Sequence, residues 1–176
     1  MTDLLALCAF NAAYAHAIDS DALEQWPAFF TEDCHYRITH IENEREGLAA
    51  GIVYADSRAM LEDRIAALRE ANIYERQRYR HLLGIPLVES VSGTQPTAGT
   101  PSMLAGTPSM VTGTRSIVAR TPFMVARIMA TGETLLFATG VYQDRFVTTP
   151  DGKLLLAERV AVCDSTVTDT LLALPL

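Results

Sequence analysis

Four histidines, His16, His35, His40 and His81, are the first candidates for metal or acid/base chemistry in this chain of 176 residues. A mononuclear iron site would need two of them and a carboxylate converging on one point. His35 and His40 are five residues apart, so a regular strand sends them to opposite faces. An iron–sulfur centre with two thiolates and two imidazoles needs Cys-x-His and Cys-x-x-His pairs, and neither occurs. Cys8, Cys34 and Cys163 are odd in number and widely spaced, which suits buried thiols better than a disulfide framework. Phosphate-loop, nucleophile-elbow and zinc-hydrolase patterns are absent as well. No metal or cofactor is therefore expected in this chain.

Proton transfer is the remaining chemistry. Asp33, Tyr36 and His81 could meet in a pocket, with His81 as base and Asp33 orienting it. The competing reading is that buried tyrosine and histidine satisfy local hydrogen bonds. Arg76, Arg78 and Arg80 alternate along one strand face and form a positive ridge beside His81. That ridge reads as an ion-paired protein interface, an anion site, or a solvated edge that discourages strand aggregation. Arg64 lies next to the apolar stripe of its helix, where its stem can pack while its head pairs with a carboxylate.

The elements that must position these residues follow from periodicity. Leu4, Leu7, Cys8, Asn11, Ala15 and Ile18 recur at three- and four-residue spacing, which predicts a helix over about 3–18. Asp21 with Glu24 reads as a capping box for a second short helix that Pro27 ends. Alternation from Cys34 to Ile41 predicts a strand with Cys34, Tyr36 and Ile38 on its covered face. Residues 51–84 then read as short strand, capped helix and basic strand. Asp56 is the expected N-cap, Leu61, Ile65 and Leu68 form the stripe, and Arg58 pairs with Glu62. Strands are expected at 78–83, 87–91, 123–129, 135–147 and 154–163, the last two joined by a Pro150-Asp151-Gly152 turn. Helices first and hairpin-linked strands later imply an α+β fold, an antiparallel sheet curled around the N-terminal helices.

Residues 99–126 contain four units of seven: Gly-Thr-Pro-Ser-Met-Leu-Ala, Gly-Thr-Pro-Ser-Met-Val-Thr, Gly-Thr-Arg-Ser-Ile-Val-Ala and Arg-Thr-Pro-Phe-Met-Val-Ala. Proline in three of them forbids a coiled coil, and the unit that starts at Arg120 reads as the original start of the strand. The rest is expected to be an expanded hairpin loop at about 92–120 within one domain spanning 1–176. Near-copies of one strand sequence could compete for the same pairing.

Composition supports a globular chain, 49% hydrophobic and 20% charged. The balance of 14 basic against 21 acidic side chains opposes a nucleic-acid or anionic-membrane footprint. Asp3 stands where a signal peptide carries positive charge, and no apolar run approaches the roughly 18 residues of a membrane span. A cytoplasmic location is expected, and the apolar tail 171–176 is expected to dock on another subunit.

Asp19-Ser20-Asp21 with Trp26, Phe29 and Phe30, then Tyr36, Asp56 with Met60, Leu61 and Arg64, Arg80-His81, and Leu156-Ala157-Glu158-Arg159 together resemble the small subunits of aromatic-ring-hydroxylating dioxygenases. Within that family the branch acting on terephthalate is most similar. Its likeness is carried by Phe10-Asn11-Ala12-Ala13-Tyr14-Ala15, Gly47-Leu48-Ala49-Ala50-Gly51-Ile52-Val53, Arg69-Glu70-Ala71-Asn72-Ile73-Tyr74-Glu75-Arg76 and Val162-Cys163-Asp164-Ser165-Thr166-Val167-Thr168-Asp169-Thr170-Leu171. The resemblance implies an NTF2-like cone and an assembly of three small and three large (alpha) subunits. It implies that the large subunit holds a Rieske [2Fe-2S] cluster and a mononuclear non-haem iron. A separate reductase would bring electrons from NAD(P)H, and both atoms of O₂ would be added to the ring as a cis-dihydrodiol. The small subunit would then be a noncatalytic scaffold, with Arg76, Arg78, Arg80 and His81 as interface candidates. A free-standing isomerase or dehydratase of the same fold, using Asp33, Tyr36 and His81, is the alternative. A regulatory module that binds a small aromatic acid is a third reading.

Overall fold

The computed structural model describes residues 2–48, 51–73, 75–93, 115–167 and 172–176. Helix α1 (Thr2–Asp19) leads into a 3₁₀ helix (Leu23–Phe29), β1 (Phe30–His40), the short α2 (Ile41–Arg45), β2 (Val53–Ala55) and α3 (Arg58–Glu70). Five strands follow: β3 (Gln77–Leu83), β4 (Leu87–Ser92), β5 (Arg115–Met129), β6 (Thr134–Thr148) and β7 (Leu154–Cys163). They form one seven-stranded sheet ordered β2-β1-β7-β6-β5-β3, with β4 paired to the other half of β5. Every pairing is antiparallel except β1 with β7, which is parallel, so the sheet is mixed. Extra residues in β1, β4, β6 and β7 bend the strands and raise their twist, and the sheet curls over α1 and the 3₁₀ helix.

The inward stripe of α1 is Leu7, Asn11, Tyr14, Ala15 and Ile18, one face at helical spacing. Leu4, expected on that stripe, is exposed. Asp21 caps nothing. Its backbone is left-handed at φ 60°, and Arg69 of α3 donates to its carboxylate at 2.8 Å and to Glu24 at 2.7 Å. Pro27 lies inside the 3₁₀ helix rather than ending it, because a helix this short loses no long hydrogen-bond ladder to proline. The cap of α3 is Ser57, whose hydroxyl accepts from the Met60 amide, and not Asp56. Arg58 turns away from Glu62 to Glu32 and the Phe30 carbonyl on β1, because tertiary packing offers it a backbone acceptor.

The Pro150-Asp151-Gly152 turn forms as expected. The Gly152 amide donates to Thr149 at 2.8 Å and Gly152 has φ 83°, a conformation that glycine adopts without Cβ strain. On β6, a Cβ at Gly140 would lie 2.1 Å from the Val162 carbonyl and against the Phe123 ring, so the close approach of β6 to β7 requires glycine.

β5 starts at Arg115, so the expected loop ends before 115 and the third repeat unit supplies strand. Residues 94–114, with the first two units, lie outside the described residues. Seven is odd, and strand faces alternate, so equivalent positions in successive units face opposite ways. Ile117 and Ala119 are buried, whereas Met124 and Ala126, seven positions on, are not. A slip of one unit would therefore put the wrong face into the core. Arg115 also pairs with Asp3 of α1 at 2.6 Å, which anchors the start of β5. Replacing Ile117 with Asp should destabilise the fold by on the order of 3 kcal/mol or more. Removing residues 99–112 should change stability by only about 1 kcal/mol, since loop-closure entropy is logarithmic in length. Urea denaturation of both variants checks this contrast.

Candidate functional site

The interior of the curled sheet is polar at its centre. Arg159 on β7 and Asp144 on β6 are fully buried and joined by two hydrogen bonds of 2.8 Å. The Arg159 guanidinium lies over the rings of Tyr14 and Tyr142, 4.1 and 4.2 Å from their centroids. It also donates to Asn11 Oδ1 at 2.7 Å, and Asn11 Nδ2 donates to Thr121 on β5 at 3.1 Å. One network thus ties α1, β5, β6 and β7. Burial raises the Asp144 carboxyl above its ordinary value, and the attraction and hydrogen bonds of Arg159 oppose that rise. Burial works against the charge of Arg159 too, but Asp144 outweighs it and the guanidinium stays protonated.

Residues 172–176 fill the space beside this network. Leu176 is buried, and its main-chain oxygen accepts from the hydroxyls of Tyr14 at 2.8 Å and Tyr36 at 3.1 Å. Tyr36 Oη accepts the Leu176 amide at 3.0 Å. Arg64 donates to the carbonyls of Ala173 at 3.3 Å and Leu172 at 3.5 Å, so its head meets backbone oxygens and not a carboxylate. This apolar segment, expected to dock on another subunit, packs into its own chain because the tyrosines and Arg64 satisfy its backbone. Burial raises the phenols of Tyr36 and Tyr142 well above their usual range, so both remain hydroxyls at neutral pH.

The expected Asp33, Tyr36, His81 constellation does not assemble. Asp33 is exposed on the outward face of β1, while Tyr36 points inward to Leu176. The carboxylate that meets His81 is Asp19, at the end of α1: Oδ1 lies 2.6 Å from His81 Nδ1 and Oδ2 accepts the His81 amide at 3.0 Å. The His81 side chain is wholly buried, so it cannot be part of a surface interface. Arg78 and Arg80 are exposed on the outward face of β3, and Arg76 is exposed just before it. Arg80 makes only a 3.6 Å approach to Asp19. His16 and His35 are exposed and on different elements, and among the described residues no three His, Cys, Asp or Glu side chains are grouped to hold a metal ion.

A mouth cavity of about 750 Å³ opens beside this interior, lined by Leu23, Leu68, Arg78, Ile128, Ala173 and Leu174. A shallower groove of about 280 Å³ lies on the outer side of β1 and β2, with Tyr54 and Glu158 in its wall. The central residues that sequence reasoning passed over, Arg159 and Asp144, do carry a signal. Each is a charge flanked at i±2 by apolar residues on an inward strand face, a pattern that demands a buried partner. Asp144→Asn should destabilise the protein by about 3–5 kcal/mol, because Arg159 would be left as an uncompensated buried charge. The paired change Asp144→Leu with Arg159→Met should cost less than either single change, which calorimetry can measure. Burial pushes the thiols of Cys34 and Cys163 up to about 11, so both should resist iodoacetamide at pH 8 in the native protein when followed by mass spectrometry.

A model of the SnoaL-like domain matches residues 1–160. Over 176 residues, the whole of both chains, the protein is 60% identical to the terephthalate 1,2-dioxygenase terminal oxygenase component subunit beta 1 of a Comamonas species. It is 36% identical over 164 residues to the anthranilate 1,2-dioxygenase small subunit of Burkholderia cepacia, covering 93% of this chain and 88% of that one. Its structure superposes on a Novosphingobium aromaticivorans crystal structure, named as the beta subunit of an aromatic-ring-hydroxylating dioxygenase, with a TM-score of 0.78. That match is 33% identical and covers 99% and 97% of the two chains. The helix-first curled sheet, the whole-length likeness and the domain match converge: this chain belongs to the SnoaL-like domain family and, within it, to the beta subunits of aromatic-ring-hydroxylating dioxygenases.

Proposed function

We propose that this chain is the noncatalytic structural subunit of a Rieske-type oxygenase whose substrate is terephthalate. The observation that carries the reading is the occupied interior: Leu176 fills the place where a substrate would sit, and Asp33 is too far outside to serve His81. His81, tied at Nδ1 to Asp19, serves as a link between α1 and β3. The identity of 60% to a terephthalate dioxygenase beta subunit supports the choice of substrate. Ring chemistry then belongs to an alpha subunit with a Rieske [2Fe-2S] cluster and a mononuclear non-haem iron, fed by a reductase that draws on NAD(P)H. Three copies of each subunit would form the oxygenase, in the cytoplasm, with residues 1–176 as one domain.

What this chain supplies is a rigid surface. Arg78 and Arg80 are exposed on β3 next to Leu82, which pairs with Met124 on β5, and both apolar side chains are exposed. Guanidiniums around an apolar patch suit a protein contact, and we assign the large subunit to this face. The protein should be co-expressed with a dioxygenase large subunit that carries Cys-x-His and Cys-x-x-His pairs, the spacing a Rieske centre needs. Native mass and visible absorbance of the product are then read together. A brown complex of equal stoichiometry is the expected result. A colourless species containing only this chain would overturn the subunit reading. Arg78→Glu with Arg80→Glu should lower recovery of the complex without lowering the melting temperature of the isolated chain. Unchanged recovery would remove the ridge from the interface.

A further inference from the structure

The far edge of the sheet is finished in two different ways. β3 and β4 run end to end along β5, the first against residues 123–129 and the second against 116–120. Over β3 the edge is closed: α1 packs on it, and the Asp19 carboxylate accepts the outward His81 amide at 3.0 Å. Over β4 it is open. Among the described residues β4 pairs with β5 alone, and every residue of β4 is exposed except the half-buried Val88.

Alternation decides which groups the open edge presents. The Gly84 amide donates to the Pro122 carbonyl at 2.8 Å, so the even-numbered residues of β5 carry the hydrogen bonds to this edge. Leu87, Ser90 and Ser92 lie opposite Arg120, Val118 and Ser116 and bond to them. Val88 and Val91, opposite Ala119 and Ile117, therefore turn their amides and carbonyls outward. Their side chains share the core side with Ala119 and Ile117, both buried, yet Val91 is 46% exposed. The apolar inner face thus runs on past the last strand. β4 has no lysine, arginine or proline to repel another strand, and the carboxylate of its extra residue Glu89 is taken by Arg120 at 2.8 Å.

Membership among the beta subunits implies a large subunit as partner. A stable contact of ordinary size buries about 800 Å² on each side and takes roughly 20 residues, far more than Arg78, Arg80, Leu82 and Met124 supply. Along the same edge that face is continued by the exposed side chains of Ile85 and Leu87, which lead onto β4. We propose that the open edge of β4 takes an extended segment of the large subunit as an added strand, bonded to the outward groups of Val88 and Val91, with apolar side chains at alternate positions laid over those two valines. This inference rests on the subunit reading and names the mode of contact.

Amide hydrogen exchange, measured on the full-length chain alone and in its complex with the large subunit, tests it. Val88 and Val91 should exchange fast in the chain alone and at least about tenfold more slowly in the complex. Protection already present in the chain alone means that the edge is covered from within, and protection that rises with its concentration means that a second copy covers it. Either result overturns the proposal, as does fast exchange in the complex. Val91→Pro removes an outward amide and no β4–β5 hydrogen bond. It should leave the melting temperature of the chain alone unchanged and weaken association with the large subunit by about tenfold. Val91→Thr, which keeps the amide and the shape, should associate as the unaltered chain does. The exchange comparison needs no variant, so it decides if Val91→Pro does not fold. Absence of any complex with the unaltered chain overturns the subunit reading and this inference with it, whereas a complex indifferent to Val91→Pro overturns this inference alone.

Discussion

The buried guanidinium of Arg159 is the constraint around which the fold is arranged. A charge taken out of water costs several kcal/mol even after relaxation, so the molecule must surround it with compensation. Asp144 supplies the opposite charge, Asn11 a third acceptor, and Tyr14 and Tyr142 two aromatic faces. These groups come from α1, β6 and β7, and Thr121 on β5 completes the chain through Asn11. A residue on β7 whose partners come from α1 and β6, with β5 joined through Asn11, fixes how those elements meet. Apolar packing of Trp26, Phe30, Phe123 and Phe146 contributes area, but area is non-directional; the Arg159 network sets orientation.

The same arrangement explains why a fold with a concave sheet offers so little open interior here. Tyr14 serves both sides: its ring lies under Arg159 and its hydroxyl holds Leu176. Tyr36 is likewise shared between the aromatic cluster with Trp26 and the backbone of Leu176. The polar centre and the segment that covers it are thus mutually dependent, and the fold is finished by segments remote in sequence. A second tie of the same kind, Asp19 to His81, fastens the end of α1 to the edge strand β3 and satisfies an amide of that strand that faces no neighbour in the sheet. The charges left outward, Arg78 and Arg80 above all, lie on the face available to a partner.

Much of the frame was legible in the residues. The three- and four-residue spacing of Leu7, Asn11, Ala15 and Ile18 located α1, alternation around Tyr36 located β1, and Pro150-Asp151-Gly152 located the β6–β7 turn, because each signal depends only on neighbours in sequence. Local chemistry misled where a distant partner competed. Asp21 looked like a cap and became a partner of Arg69, and Arg58 preferred the backbone of β1 to Glu62. The repeat was visible as a repeat, but the odd period decides which copies can share a strand face, and only the pairing with β4 and β6 revealed where strand begins.

By itself the sequence determined the order of helices and strands apart from the short α2, the α+β class and the absence of iron-ligand spacings, since these rest on periodicity and on residue identity. Tertiary structure alone decided that His81 meets Asp19 and not Asp33, that Arg159 and Asp144 pair at the centre, and that Leu176 closes the interior. Each of those contacts joins residues brought together by sheet curvature and chain return, quantities that no local window of sequence contains.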